Sequence, residues 1–219
     1  MKNNRNFLFY GVGSVAFGIK GNAFSWFLFF YYNMVIGLPA WMASLALAIA
    51  TIWDAISDLI IGYSSDHTKS RLGRRHPYMY AALIPVPIFF VLLWNPPTFD
   101  TDFNLFLYLL IMAILVRTFT TLFEIPNQSL GPEITREYHE RTKMMSLRYF
   151  FGWMGGTIMT ILMYFVFLKP TAEYPNGQLN PEGYQIYGIV AAIIMLVAMI
   201  ISSRGLNHLI TNLSKTCLL

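Results

Sequence analysis

Six long apolar stretches dominate this sequence and restrict the folds that it can adopt. They cover residues 7–32, 41–63, 77–94, 105–123, 147–168 and 187–202. The hydrocarbon core of a bilayer is about 30 Å thick, so a helix needs about 20 mostly apolar residues to cross it. Hydrocarbon cannot satisfy open backbone groups, and these stretches are too long for outer-membrane strands. The sequence therefore predicts an all-α integral membrane protein with six transmembrane helices.

The composition excludes several classes of protein. Hydrophobic residues make up 56% of the chain and charged residues 12%, which is about half the charged share of a soluble domain. A cytosolic enzyme, a disordered chain and a disulfide scaffold are therefore disfavoured, and the single cysteine, Cys217, cannot form an internal disulfide. The first apolar stretch is too long for a signal peptide and is interrupted by Lys20. We therefore predict one membrane domain over residues 1–219.

Basic residues indicate how the chain lies in the membrane. Most of the 15 lysines and arginines lie in segments that six helices would place on one side. Basic loops face the cytoplasm, so both termini are predicted to be cytoplasmic, in an inner or plasma membrane, with residues 204–219 as a cytoplasmic tail. The net charge of +4 then reflects topology, and we expect lipid rather than nucleic acid as the partner of this surface.

Two further patterns predict packing. Gly152 and Gly156 form a G-x-x-x-G motif, which allows close contact between helices within the bundle. Aromatic residues near the ends of the stretches are typical of anchors at the membrane interface. These residues are Tyr31, Tyr32, Trp41, Trp94 and Tyr187.

Ionisable residues within the apolar stretches give the strongest functional signal. Each costs several kcal/mol at the centre of a bilayer unless it faces protein or water. They are Lys20, Asp54, Asp58, Arg117, Glu124 and Arg148. One water-accessible cavity shared by several helices accounts for all of them. The simpler alternative is that they only join helices, with Asp58 bound to Lys20 or Arg148, or Arg117 bound to Glu124.

Their spacing places polar side chains on two helix faces. Asp54 and Asp58 are four residues apart on one face, with Ser57 beside them. A second face carries residues at positions i, i+4 and i+7, namely Arg117, Thr121 and Glu124. Two neighbouring carboxylates in a low dielectric hold a proton, pair with a cation or ligate a metal ion. Carboxylate and hydroxyl oxygens suit a hard cation, and the ammonium group of Lys20 offers an internal substitute for it.

Enzymatic function is disfavoured. The sequence contains no HExxH motif, no histidine within an apolar stretch that could activate a serine, and no cluster with metal-ligand spacing. We therefore predict no catalytic residues, no metal centre and no cofactor. A non-catalytic interaction or scaffold protein remains an alternative.

The segment between the second and third stretches carries a recognisable motif. Residues 53–78 read WDAISDLIIGYSSDHTKSRLGRRHPY, which resembles the loop between helices two and three of the major facilitator superfamily. The D-A-I-x-D and T-x-S-R-x-G patterns within it are similar to one branch, the glycoside–pentoside–hexuronide:cation symporters, to which the melibiose carrier belongs. Further similar segments are YG-x-G at 10–13, FFYYNMVIGLP at 29–39, EIPNQSLGPEIT at 124–135 and SLRYFFG at 146–152.

This resemblance implies symport of a sugar or glycoside with H⁺ or Na⁺ by alternating access. The implied cation site consists of Asp54, Ser57, Asp58 and Thr121. With the buried charges, the candidate substrate site consists of Lys20, Asn22, Arg117, Glu124, Gln128 and Arg148. The motif implies a cytoplasmic gate formed by Gly62, Asp66, Arg71, Gly73, Arg74 and Arg75.

Several positions differ from the melibiose carrier. Its sugar-binding aspartate and the adjacent lysine align with Gly18 and Phe17, and its stacking tryptophan aligns with Gln128. These differences argue against a galactoside substrate. The position of Lys20 argues against sodium and favours coupling to protons, or no coupling.

The resemblance also implies a half-transporter. Members of the superfamily contain two six-helix halves with the substrate between them, and this chain resembles the N-terminal half. We therefore expect it to need a second wall for transport, supplied by a separate C-terminal six-helix half or by another copy of the chain. The alternatives are a transporter of another organic solute and a non-transporting, truncated membrane protein.

Overall fold

The computed structural model describes residues 2–68, 70, 73–135 and 137–207. All secondary structure in these ranges is helical, so the predicted all-α class is confirmed. Five of the described helical stretches are long and apolar enough to cross a membrane. They are Ala40–His67, His76–Trp94, Asp102–Gly131, Tyr138–Phe167 and Pro181–Gly205. They match the predicted spans two to six.

The N-terminal stretch is helical but interrupted. Helices α1 (Lys2–Val12) and α2 (Ser14–Asn22) meet at Gly13, and the short α3 (Leu28–Phe30) lies between two π-helical turns, Ala23–Phe27 and Tyr31–Val35. Lys20 and Asn22, both in α2, make this stretch less apolar than the other five. It is therefore not among the five candidate spans.

Most of the remaining helices extend beyond the predicted apolar stretches. The remaining helices are α4 (Ala40–His67), α5 (His76–Ala82), α6 (Pro85–Trp94), α7 (Asp102–Ile134), α8 (Tyr138–Leu162) and α9 (Pro181–Gly205). A π-helical turn, Met163–Phe167, continues α8. With 33 residues, α7 is about 50 Å long, against about 30 Å of hydrocarbon. Apolar character marks only the part of each helix that lies in lipid. The predicted tail therefore begins within α9, and its residues from 208 on lie outside the described part of the chain.

Helices pack in pairs: α2 on α8, α4 on α7, and α6 on α9. The contact between α2 and α8 depends on glycine. A Cβ atom on Gly18 would overlap the carbonyl oxygen of Gly152, and one on Gly156 would lie 2.7 Å from the carbonyl oxygen of Gly18. The predicted role of the G-x-x-x-G motif in internal packing is therefore confirmed.

An aromatic cluster fills one end of the bundle. Its fully buried members are Tyr31, Tyr32, Trp94, Tyr184 and Tyr187. The rings of Tyr31 and Tyr184 stack with their centres 4.7 Å apart. The predicted role as interface anchors is therefore wrong for four of the five residues, because the helix ends that carry them pack against each other. Trp41, which is 64% exposed, is compatible with that role.

Two hydroxyl groups of this cluster bind the end of α6. Tyr31 donates to the carbonyl oxygen of Trp94 at 3.1 Å, and Tyr32 donates to that of Leu93 at 2.9 Å. The last carbonyl groups of a helix have no partner within it.

We expect Tyr32→Phe to lower the free energy of unfolding by about 1–2 kcal/mol, because it leaves a buried acceptor unpaired. Thermal unfolding followed by circular dichroism measures this. Tyr63→Phe, at a 69% exposed ring, is the control, and equal destabilisation by both changes would contradict the prediction.

Candidate functional site

The six predicted internal charges are buried or half-buried in the structure. They come from four helices, with Lys20 on α2, Asp54 and Asp58 on α4, Arg117 and Glu124 on α7, and Arg148 on α8. Lys20 and Arg148 are each only 6% exposed. A charge that is removed from water to this extent needs partners of opposite charge, and the structure supplies them.

Asp54 has two cationic partners on one oxygen. Nη1 of Arg117 lies 2.5 Å from its Oδ2 atom, and Nζ of Lys20 lies 3.7 Å from the same atom. Arg117 also donates through Nη2 to Oγ1 of Thr51 at 3.1 Å. Its Cζ atom lies 4.8 Å from the centre of the Phe24 ring, a cation–π distance. Arg117 is therefore held inside the protein on three sides, and it pairs with Asp54 instead of the alternative partner Glu124.

Thr121 joins the two carboxylates of α4. Its Oγ1 atom lies 3.3 Å from Oδ1 of Asp54 and 3.0 Å from Oδ1 of Asp58. These three residues of the predicted cation site therefore converge. Ser57, the fourth, donates instead to the backbone carbonyl of Asp54 at 2.9 Å, as serine often does to the preceding helical turn.

A cavity of about 360 Å³ lies beside this charge cluster, between α2, α7 and α8. Its wall contains Glu124 and Arg148, joined by an ion pair of 3.2 Å between Oε1 and Nη2. The amide side chains of Asn22 and Gln128 also line it. The volume is that of a small-molecule site, and the wall combines apolar surface with a few convergent polar groups, as such sites do.

The structure divides the six predicted substrate residues between two places. Asn22, Glu124, Gln128 and Arg148 line the cavity, whereas Lys20 and Arg117 bind Asp54. Sequence reasoning missed two aromatic residues of the cavity wall, Tyr149 and Trp153. Their signal is a pair of aromatic residues four positions apart that begins directly after Arg148.

The predicted cytoplasmic gate joins α4 to α7. Nη2 of Arg75 donates to Oδ1 of Asp66 at 3.0 Å, and its Nη1 atom contacts the backbone carbonyl of Ser129. Asp66 lies in the last turn of α4, and Ser129 lies in α7. One guanidinium group therefore connects the ends of two helices that also carry the charge cluster.

Of the two glycines in the gate motif, Gly73 has a backbone conformation that requires glycine, whereas Gly62 does not. Gly73 has a φ of +81°, a conformation that glycine adopts without penalty. A Cβ atom on Gly62 would lie 3.7 Å from the side chain of Ile125 on α7, an ordinary van der Waals distance. Arg74 is exposed, and Arg71 lies outside the described residues.

Comparison with known proteins places these features in a family. Residues 9–212 match the family described as MFS/sugar transport protein. An uncharacterized symporter of Synechocystis sp. is 33% identical over 203 residues, which cover 90% of this chain and 37% of the relative. An inner membrane symporter of Escherichia coli is 28% identical over 193 residues (88% and 40%). The isoprimeverose transporter of Lactiplantibacillus pentosus is 27% identical over 192 residues (88% and 39%). The chain thus spans about two fifths of the length of the curated relatives it matches.

Proposed function

Because this chain belongs to the MFS/sugar transport proteins, in the glycoside–pentoside–hexuronide:cation symporter family, we propose that it forms one half of a cation-coupled carrier for a sugar or glycoside. Its relatives are symporters and transporters, so it is a membrane transport protein and not an enzyme. The observation that carries the sugar proposal is the cavity whose wall contains the Glu124–Arg148 ion pair. The cluster of Asp54 and Asp58 lies beside this cavity.

The cavity wall suits a polyhydroxylated ligand. The carboxylate of Glu124 accepts hydrogen bonds from hydroxyl groups, and the guanidinium of Arg148 donates them. Charge-assisted hydrogen bonds of this kind are stronger than neutral ones. The rings of Tyr149 and Trp153 supply flat apolar faces for the C–H side of a sugar ring. The adjacent carboxylates Asp54 and Asp58 are the proposed site of the coupling ion.

The proposal includes a sixth transmembrane helix, formed by residues 2–35. Lys20 would oppose its insertion if it faced lipid, but its ammonium group points to Asp54 and is buried. Six spans place both termini on the cytoplasmic side, together with the gate around Asp66 and Arg75. The cavity then has one wall from this domain, and a second six-helix half supplies the other wall for alternating access.

Ligand-induced thermal stabilisation tests the substrate class. We expect one or more sugars or glycosides to raise the unfolding temperature of the chain in lipid nanodiscs, because a ligand at 100 times its Kd stabilises by about 2.7 kcal/mol. Glu124→Gln should abolish this response, and Glu173→Gln, at an exposed loop position, should keep it.

Liposomes that contain this chain alone should take up no sugar.

Two outcomes would refute this proposal. A response confined to non-sugar solutes, or no response from a chain with intact helical circular dichroism, excludes the sugar substrate. Sugar uptake by the chain alone excludes the need for a second half.

A further inference from the structure

Gly21 is a glycine that the described fold does not require. A Cβ atom on this residue would meet no atom within 4 Å in the part of the chain that the structure describes, whereas Gly18, one turn earlier in α2, packs against the backbone of Gly152. Positive φ values among the described glycines are confined to Gly37 and Gly73. Because glycine destabilises a helix relative to alanine, Gly21 is explained neither by packing within this domain nor by backbone conformation.

The absence of a side chain at Gly21 leaves room in the cavity between α2, α7 and α8. Gly21 lines this cavity together with Phe17 and Asn22 of the same helix. Phe17 lies four residues before Gly21 on the same helix face, and the Nζ atom of Lys20 lies 5.4 Å from the centre of its ring. Asn22 donates from Nδ2 to Oγ1 of Thr160 on α8 at 3.1 Å. The open space at Gly21 is therefore bounded by an aromatic ring and an amide group that are both held in place.

The ion pair of the cavity lies at the other end of α2. Ser14 lines both the cavity and a smaller recess together with Glu124 and Arg148. The Oγ atom of Ser14 and the Nε atom of Arg148 are buried without a hydrogen-bond partner among the described residues. Buried donors without a partner are costly, so this end favours the hydroxyl groups of a ligand. At a rise of 1.5 Å per residue, Ser14 and Gly21 are about 10 Å apart along α2, so the cavity has two separate ends.

We propose that Gly21 determines specificity by opening a second subsite, bounded by Phe17 and Asn22, for an uncharged ring in the aglycone of a glycoside. The sugar ring then lies at Glu124 and Arg148, and the ring of the aglycone packs on Phe17. This inference rests on the sugar-carrier function proposed above and narrows its substrate from sugars in general to glycosides that carry a second ring. Gly21→Leu fills the second subsite and leaves the ion pair unchanged.

Titrations with matched glycosides test the second subsite. The unfolding temperature of the chain in nanodiscs is measured against glucose and xylose, and against the methyl and phenyl glycosides of each. We expect phenyl glycosides to bind the wild-type chain about tenfold more tightly than methyl glycosides, which is the low end of the gain from burying a phenyl ring. Gly21→Leu should remove this difference and leave the affinity for methyl glycosides unchanged.

The matched control is Ala48→Leu, which adds bulk at an exposed position of α4 and should keep the preference for phenyl glycosides. Leucine favours a helix, so both variants should retain the helical circular dichroism of the wild-type chain. A Gly21→Leu variant that keeps the preference, as expected if the second half of the carrier fills this space, would overturn the proposal. Equal weakening of both glycosides by Gly21→Leu would overturn it as well.

Thiol labelling tests the same space without adding bulk. Cys217 is the single cysteine, so the variant Gly21→Cys/Cys217→Ser carries one thiol. A small, water-soluble methanethiosulfonate should label it, and phenyl glycosides should slow this labelling whereas methyl glycosides should not. Glu173→Cys/Cys217→Ser, in an exposed loop, should react at one rate with either glycoside.

The outcomes separate this inference from the substrate proposal. Labelling at position 21 that phenyl glycosides do not slow, although they bind, contradicts the second subsite alone. A wild-type chain that responds to no sugar and to neither type of glycoside refutes the substrate class, and with it this inference.

Discussion

Replacing Arg148 with methionine is expected to destabilise the chain by about 3–5 kcal/mol and to abolish sugar binding. Removing one partner of a buried ion pair leaves the other charge uncompensated, which is the costly way to break such a pair. The side chains of Arg148 and Glu124 are 7% and 16% exposed, so little water is available to replace the lost guanidinium. Chemical unfolding followed by circular dichroism measures the stability, and the sugar panel measures binding.

A second substitution at the same pair separates stability from function. In the double variant Glu124→Gln/Arg148→Met no buried charge is left without a partner, so most of the lost stability should return. Sugar binding should not return, because both proposed ligand contacts are gone. A single Arg148→Met variant as stable as wild type would show that Glu124 does not depend on this pair. A double variant no more stable than the single one would contradict the electrostatic explanation.

The largest packing effect is expected at Gly18. Gly18→Ala should lower the free energy of unfolding by about 3 kcal/mol, because overpacking that forces backbone shifts is costly. The new methyl group would overlap the carbonyl group of Gly152, and a backbone atom inside α8 cannot rotate away as a side chain does. Chemical unfolding of the purified chain measures the loss.

Gly21, in the same helix, supplies the control. A Cβ atom there meets no atom within 4 Å. Gly21→Ala should therefore be neutral or stabilise by up to about 1 kcal/mol, since alanine favours a helix more than glycine does. Similar effects of the two substitutions would contradict the close contact between α2 and α8.

The sequence predicts those features that depend on single helices. The apolar stretches locate five spans because the length of hydrocarbon to be crossed is fixed. The cost of an unpaired charge in lipid identifies Lys20, Asp54 and Arg148 as internal, and the structure places them inside. Helical spacing also brings Asp54 and Asp58 to one face, where both meet Thr121.

Features that depend on the rotation of one helix against another were not predictable. The sequence suggests Glu124 as the partner of Arg117, because the two residues share one helix face. The structure selects Asp54, because α4 packs on α7 at this level. The burial of Tyr31 and Trp94 has the same origin: the position of a residue near a helix end does not show whether that end faces lipid or another helix.

The π-helical turn at Ala23–Phe27 gives the first helix two different contact surfaces. Such a turn usually accommodates one residue more than an α-helical turn, so side chains after it are rotated by about 100° relative to an uninterrupted α-helix. Before the turn, Gly18 faces α8, and after it, Tyr31 and Tyr32 reach the end of α6. A single helical wheel drawn through residues 14–35 would therefore assign the wrong neighbour to one of its two ends.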